Sequence, residues 1–199
     1  MSFSLFKLIL EKFSNKIKEK SKFIILGGGE PTVHPEFWNF FSYSLQCGEP
    51  WLATNGKLVD DVLALGNIAK KGLATVVLSQ DKWHEKIDES VTSFFYENMN
   101  KKEGEWIQWE PEDKNDHRII RTIINPYTSG RYKNGKKDCV CKLIKVEPNG
   151  NIRGCGCEDS VTIGNVYDGI FEEYSEVPFF DTCSKWWKFD KDIKKWTYK

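Results

Sequence analysis

The sequence predicts an α/β fold with an open, parallel sheet, followed by a small cysteine-rich module built on a β-hairpin. Three observations carry this. Short apolar runs alternate with stretches of helical period from about residue 4 to about residue 125, and βαβα order implies parallel strands joined by right-handed crossovers. Three of the apolar runs end in glycine or polar tips, as strands do when a ligand sits past their carboxyl ends. At about residue 127 the pattern changes to the Gly- and Lys-rich PYTSGRYKNGKKD, and five of the six cysteines lie beyond it. Two domains follow, residues 1–126 and 127–199.

Each element has its own signal. Leu5, Ile9, Phe13 and Ile17 share one face of a helix over about residues 4–19. FIIL (Phe23 to Leu26) is a short strand, followed by a glycine loop and the short aromatic helix EFWNFFSYSLQ. WLATNG (Trp51 to Gly56) is a strand ending in a turn. LVDDVLALGNIAKKG is a helix with Gly72 as its stop signal. LATVVLSQD (Leu73 to Asp81) is a β-branched strand with a polar tip. IDESVTSFFYENMNKK is a helix, and EWIQWE and RIIRTIIN are two further strands of the parallel sheet. LIKVEPNGNIRGC is a hairpin around Pro148-Asn149-Gly150, where Asn-Gly favours a tight turn. VTIGNVYDGIFEEYSE is a strand and a helix, and the aromatic, basic tail from Cys183 is suited to covering an open sheet edge.

Composition narrows the function classes. Net charge is zero, so no global basic field argues for nucleic acid. No apolar run approaches the roughly 20 residues needed to cross a bilayer. The start interleaves apolar residues with lysines and acids and has no signal-peptide layout. The chain is expected in the cytoplasm. A cytoplasmic chain keeps its thiols reduced, so a cysteine cluster there suits a metal better than disulfides.

The chemistry is expected in two places. The first is the set of strand tips: Gly28, Gly29 and Glu30; Thr54 and Asn55; Ser79 and Asp81. Glycines admit positive φ and close backbone approach. Free N–H and C=O groups there can bind an amino-acid-like ligand, and Glu30 can receive an ammonium group. A plain turn with a solvated Glu30 is the bland alternative. His34 and His84 sit near these tips, where pocket-lining and structural roles are both open; His117 reads as solvated and Cys47 as a packed thiol. Arg131 reads as a solvated linker arginine, with pairing to the ligand's carboxylate as the alternative, since an arginine fork matches a carboxylate.

The second place is the cysteine module. Cys139 and Cys141, then Cys155 and Cys157, form two C-x-C pairs joined by the hairpin, with Cys183 beyond. Close thiolates suit an iron–sulfur cluster or a structural zinc. C-x-C is less usual than C-x2-C for zinc, and buried thiols without metal are the bland alternative.

GGEPTVHPEF after a strand resembles the Gly-Gly-Glu-Pro motif of radical S-adenosylmethionine (radical SAM) enzymes. ATNG on the next strand and VVLSQDKWHEKI on the one after fit the same family, in order, over about residues 1–130. The resemblance implies a partial TIM-like barrel that here lacks its first strand. It also implies S-adenosylmethionine at Gly28, Gly29, Glu30, Thr54, Asn55, Ser79 and Asp81, and a peptide or protein substrate. The family's C-x3-C-x2-C loop, which holds its 4Fe-4S cluster, is absent, since no cysteine precedes Cys47. That departure makes the chain a truncated or degenerate member, not expected to cleave S-adenosylmethionine alone.

CVCKLIKVEPNGNIRGC followed by IGNVYDG resembles the start of a SPASM or twitch module, the C-terminal appendage of many radical SAM enzymes. This implies one auxiliary iron–sulfur cluster, 4Fe-4S in type, with Cys139 or Cys141, Cys155, Cys157 and Cys183 as its ligands. The alternative is a non-catalytic iron–sulfur or zinc module that acts through a partner. The sequence fixes no substrate, reaction or oligomeric state.

Overall fold

A computed structural model describes residues 1–19, 23–80, 85–99, 105–109, 117–123, 144–154, 160–170, 187–190 and 195–198. The chain divides into two compact units. One is Phe13–Thr128; the other joins Met1–Lys12 to Ser129–Lys199.

The first unit is an α/β sheet. Its strands are β1 (Phe23–Leu26), β2 (Glu49–Thr54), β3 (Thr75–Gln80), β4 (Glu105–Trp109) and β5 (His117–Ile123). They lie in the order β1-β2-β3-β5-β4, an open sheet. β1, β2 and β3 are parallel, with Leu26 opposite Leu52 and Leu52 opposite Val76. Two helices make the crossovers: α2 (Phe37–Cys47), which packs on β2, and α3 (Val59–Lys70), which packs on β3. α4 (Glu89–Asn98) follows β3 and packs on α3 and β5. Asp88 caps α4, its carboxylate accepting from the Ser90 N–H at 2.8 Å.

The three parallel strands alternate with helices as the apolar runs predict. The expected parallel direction is overturned for β5. β5 runs antiparallel to both β3 and β4. The reason is the length of chain between them. Only residues 110–116 separate β4 from β5, while a parallel crossover needs a dozen or more. β4 still points the same way as β3, and β5 fills the place between them.

The core of this unit follows from the same runs. Thr75 to Leu78 are buried on both faces of β3, the central strand. Leu52, Val62, Leu65, Val76, Leu78, Val91 and Phe95 are wholly buried. Each such side chain contributes about 1.5–3 kcal/mol by leaving water.

The second unit contains the first part of helix α1 (Phe3–Glu19) and a four-stranded antiparallel sheet. Leu5 and Ile9 are buried as the helical period requires, with Phe6 and Leu10 beside them; Phe13 is half-buried. The sheet is the meander β6 (Lys145–Val146), β7 (Asn151–Arg153), β8 (Thr162–Asn165) and β9 (Gly169–Ile170). Ile152, Ile163 and Val166 are its buried residues. Lys12 donates from Nζ to the Val166 carbonyl at 2.5 Å.

The expected hairpin forms around Pro148-Asn149-Gly150, and one other local expectation changes. Gly150 N–H donates to Glu147 O at 2.9 Å across Pro148-Asn149, and Gly150 closes the loop at φ +87°. The chain after Asn165 turns back as strand β9, so any helix in that stretch begins past Ile170, outside the described residues. The tail contains an antiparallel pair, β10 (Trp187–Asp190) with β11 (Lys195–Tyr198).

Candidate functional site

The three parallel strands end at different heights. Leu26 closes β1 opposite Leu52, so β2 runs on by Ala53 and Thr54. Thr54 lies opposite Leu78, and Ser79 is the next residue of β3. The chain leaving β1 passes through Gly27, Gly28 and Gly29 and returns at Glu30 to the tip of β2.

Glu30 is the centre of this tip. Its Oε1 accepts from Thr54 Oγ1 at 2.9 Å, from Thr32 Oγ1 at 2.6 Å and from the Thr32 N–H at 3.2 Å. Its Oε2 accepts from the Asn55 N–H at 2.6 Å. Thr32 and Thr54 are 4 % and 2 % exposed, Glu30 half-buried. A carboxylate has about four acceptor sites. Three donors saturate Oε1 and one occupies Oε2, which leaves Oε2 as the atom able to take a further donor. The solvated-turn alternative does not describe this residue.

The tip is held rigid around that carboxylate. Thr54 Oγ1 also accepts from the Gly56 N–H at 3.1 Å, and Asn55 Oδ1 accepts from the Lys57 N–H at 3.0 Å. Both are side-chain turns of the kind Thr and Asn make with their own backbone. On the β1 side, Gly28 and Gly29 adopt φ +108° and +81°, conformations that cost other residues strain. A Cβ on either would meet nothing within 4 Å. Neither has a backbone hydrogen-bond partner among the described residues. Both glycines are exposed, immediately before Glu30 in the chain. A cleft of about 360 Å³, lined by Asn55, Gly56, Lys57, Val59, Glu85 and Ile87, opens next to the β2 tip.

The structure thus brings Gly28, Gly29, Glu30, Thr54, Asn55 and Ser79 to one end of the sheet; Asp81 lies outside the described residues. Thr32 belongs with them and was not singled out from sequence. Its signal was available: a Thr two places after a Glu can return both hydroxyl and amide to that carboxylate. His34 has a local task. Its Nδ1 accepts from the Glu36 N–H at 3.1 Å and its ring meets Phe40 edge-on at 4.9 Å. Cys47 is half-buried at the end of α2. His84 and Arg131 lie outside the described residues, and His117 falls in β5.

Cys139, Cys141, Cys155, Cys157 and Cys183 also lie outside the described residues. Among the described residues, no three His, Cys, Asp or Glu side chains are placed to hold a metal ion. The strands that flank the two C-x-C pairs are described. Lys145 pairs with Arg153 at the open end of the β6–β7 hairpin. Cys141 precedes Lys145 by four positions and Cys155 follows Arg153 by two. The donor set, thiolate only, fits a soft metal.

No helix among the described residues is long and apolar enough to cross a membrane. Comparisons with protein-family models, curated proteins and solved structures find no match.

Proposed function

We propose that this chain is a radical SAM-type iron–sulfur protein. In this reading its first unit corresponds to a partial TIM-like barrel without the first strand, and its second carries a twitch-like module with one auxiliary 4Fe-4S cluster. The observation that supports it most is the Glu30 tip. A Gly-Gly-Glu-Pro loop supplies open backbone groups at Gly28 and Gly29, beside a carboxylate fixed by two strand ends. That arrangement suits the amino and carboxylate groups of S-adenosylmethionine. Its remaining acceptor position on Oε2 would take an ammonium proton. Thr54 and Thr32 hold the carboxylate still, Ser79 extends the same edge, and Asp81 follows it in the sequence.

Reductive cleavage of S-adenosylmethionine is chemistry supplied by a bound cluster. The chain contributes orientation at the strand tips and thiolates at Cys139 or Cys141, Cys155, Cys157 and Cys183. Its substrate would be a peptide or protein. A second reading is a non-catalytic iron–sulfur or zinc module that acts through a partner.

The test is anaerobic purification with metal analysis and calorimetric titration of S-adenosylmethionine. The first reading expects iron and sulfide with the charge-transfer absorbance of a cluster, lost in Cys155→Ser. It also expects S-adenosylmethionine binding that weakens in Glu30→Ala. Zinc without iron, and no binding of S-adenosylmethionine, would leave the second reading.

A further inference from the structure

We infer that Asn55 is a specificity-determining residue of the Glu30 site. Its side-chain amide donates to a carboxylate on the ligand while Glu30 takes the ligand's ammonium group, so the tip selects an α-amino acid over a plain amine. This rests on the S-adenosylmethionine reading proposed above and deepens it.

Asn55 meets Glu30 through its backbone. Its N–H donates to Oε2 at 2.6 Å, the oxygen with room for a further donor. A second bond orients its side chain: Oδ1 accepts from the Lys57 N–H at 3.0 Å. Only the oxygen of an amide can accept from an N–H, so the other end is Nδ2, which carries two donors. Nδ2 has no hydrogen-bond partner among the described residues, and Asn55 is half-buried. One residue thus touches the acceptor with its backbone and keeps free donors on its side chain. The turn beyond it is fixed. Gly56 N–H donates to Thr54 Oγ1 at 3.1 Å, and a Cβ at Gly56 would meet Ile87 at 2.8 Å and Leu78 at 3.1 Å.

Asn55 also lines the cleft of about 360 Å³ beside the β2 tip, together with Lys57, Glu85, Lys86 and Asp88. The two acids there are engaged: Glu85 pairs with Lys57 at 3.5 Å, and Asp88 accepts from the Ser90 N–H and hydroxyl. Lys86 has no ion-pair partner among the described residues. An anionic group in the cleft therefore meets amide donors and a free ammonium, next to a carboxylate that favours a cation. An α-amino acid carries those two charges on one carbon, and hydrogen bonds of about 3 Å at each end bridge Oε2 and Nδ2. A turn of the kind Asn makes with its own backbone accounts for Oδ1. It leaves the donors of Nδ2 unmade, and a ligand carboxylate satisfies them.

The test is calorimetric titration of the full chain with S-adenosylmethionine and with decarboxylated S-adenosylmethionine, which keeps the ammonium group and lacks the carboxylate. The unaltered chain should prefer S-adenosylmethionine by about tenfold or more, the scale of one hydrogen bond to a charged group. Asn55→Asp keeps the acceptor for the Lys57 N–H and exchanges the donors for a negative charge, so it should abolish or reverse that preference. Asn55→Ala, which removes the amide without adding charge, should bring the two ligands near parity. Glu30→Gln should weaken both alike, because both keep the ammonium group; a loss confined to S-adenosylmethionine would overturn this division of roles. The same preference in the unaltered chain and in both Asn55 variants overturns the inference and leaves the S-adenosylmethionine reading standing, as does equal binding of the two ligands by the unaltered chain. If the unaltered chain binds neither, the S-adenosylmethionine reading fails. Methionine and its decarboxylated amine, which keep the same two ends, then decide the role of Asn55. A preference for methionine that Asn55→Asp abolishes upholds it; no preference, or no binding, refutes it.

Discussion

The parallel sheet and the small antiparallel sheet each hold a loop in place with one carboxylate, and they do so over very different stretches of chain. Glu30 reaches Thr54 and Asn55, 24 and 25 positions away, across two strand ends. Glu147 reaches Arg153 six positions away, across one hairpin. The first contact exists only when β1 and β2 are paired in register. The second needs only a tight loop. The lesson concerns cooperativity: the Glu30 tip needs two strands of the first unit paired in register, whereas the Glu147–Arg153 contact needs only one hairpin.

The largest effect that could break this contrast is a core truncation in each unit. Leu52→Ala and Ile163→Ala should each cost about 3 kcal/mol. In calorimetry on the full chain, each should lower a transition belonging to its own unit. A single transition lowered equally by both would dissolve the comparison.

A smaller and sharper effect comes from the carboxylates. Glu30→Ala strips four donors of their acceptor, three of them on buried threonines, and should cost about 2–3 kcal/mol in urea unfolding of the first unit. Glu147→Ala should cost about 1 kcal/mol, the scale of one partly exposed charged contact. If the Glu147 variant is the more damaged of the two, the long-range carboxylate is not the keystone of its tip.

The smallest effect is local and depends on pH. The Ser90 hydroxyl and N–H hold the Asp88 carboxyl below its usual range. A carboxyl whose folded value is depressed contributes stability above its unfolded value, about 3.9, and loses it as pH falls through the folded value. Asp88→Asn should therefore remove a small part of the acid sensitivity of α4 below about pH 4, followed by circular dichroism. An unchanged acid profile would place that sensitivity elsewhere.

Much of this was legible in the sequence because it is local. FIIL between lysine and glycine reads as a short strand, and it is one with Ile24 and Leu26 buried and Ile25 exposed, while Asp88 before Glu89 and Ser90 suits the start of a helix. The end of the sheet at which Glu30, Thr54 and Ser79 meet follows from the βαβ rule. The bonds of Glu30 do not, since they depend on β2 outrunning β1 by two residues, a matter of register that neither strand encodes alone. The direction of β5 was readable from the short gap before it and was masked by its β-branched composition, which suits either direction. The Arg153–Glu147 pair was hidden because its partners flank a turn whose loop length sets which residues face each other.

One feature of the sheet bears on how it is made. β5 is later in the chain than β4 yet lies between β4 and β3. During synthesis, which delivers about 5–20 residues each second, β4 emerges while its only neighbour in the finished sheet does not yet exist. β3 meanwhile offers a bare edge that any extended segment could occupy. The sheet is completed by its second-to-last position and not from its rim, so the arrival of residues 117–123 is the moment at which the first unit acquires its final strand order.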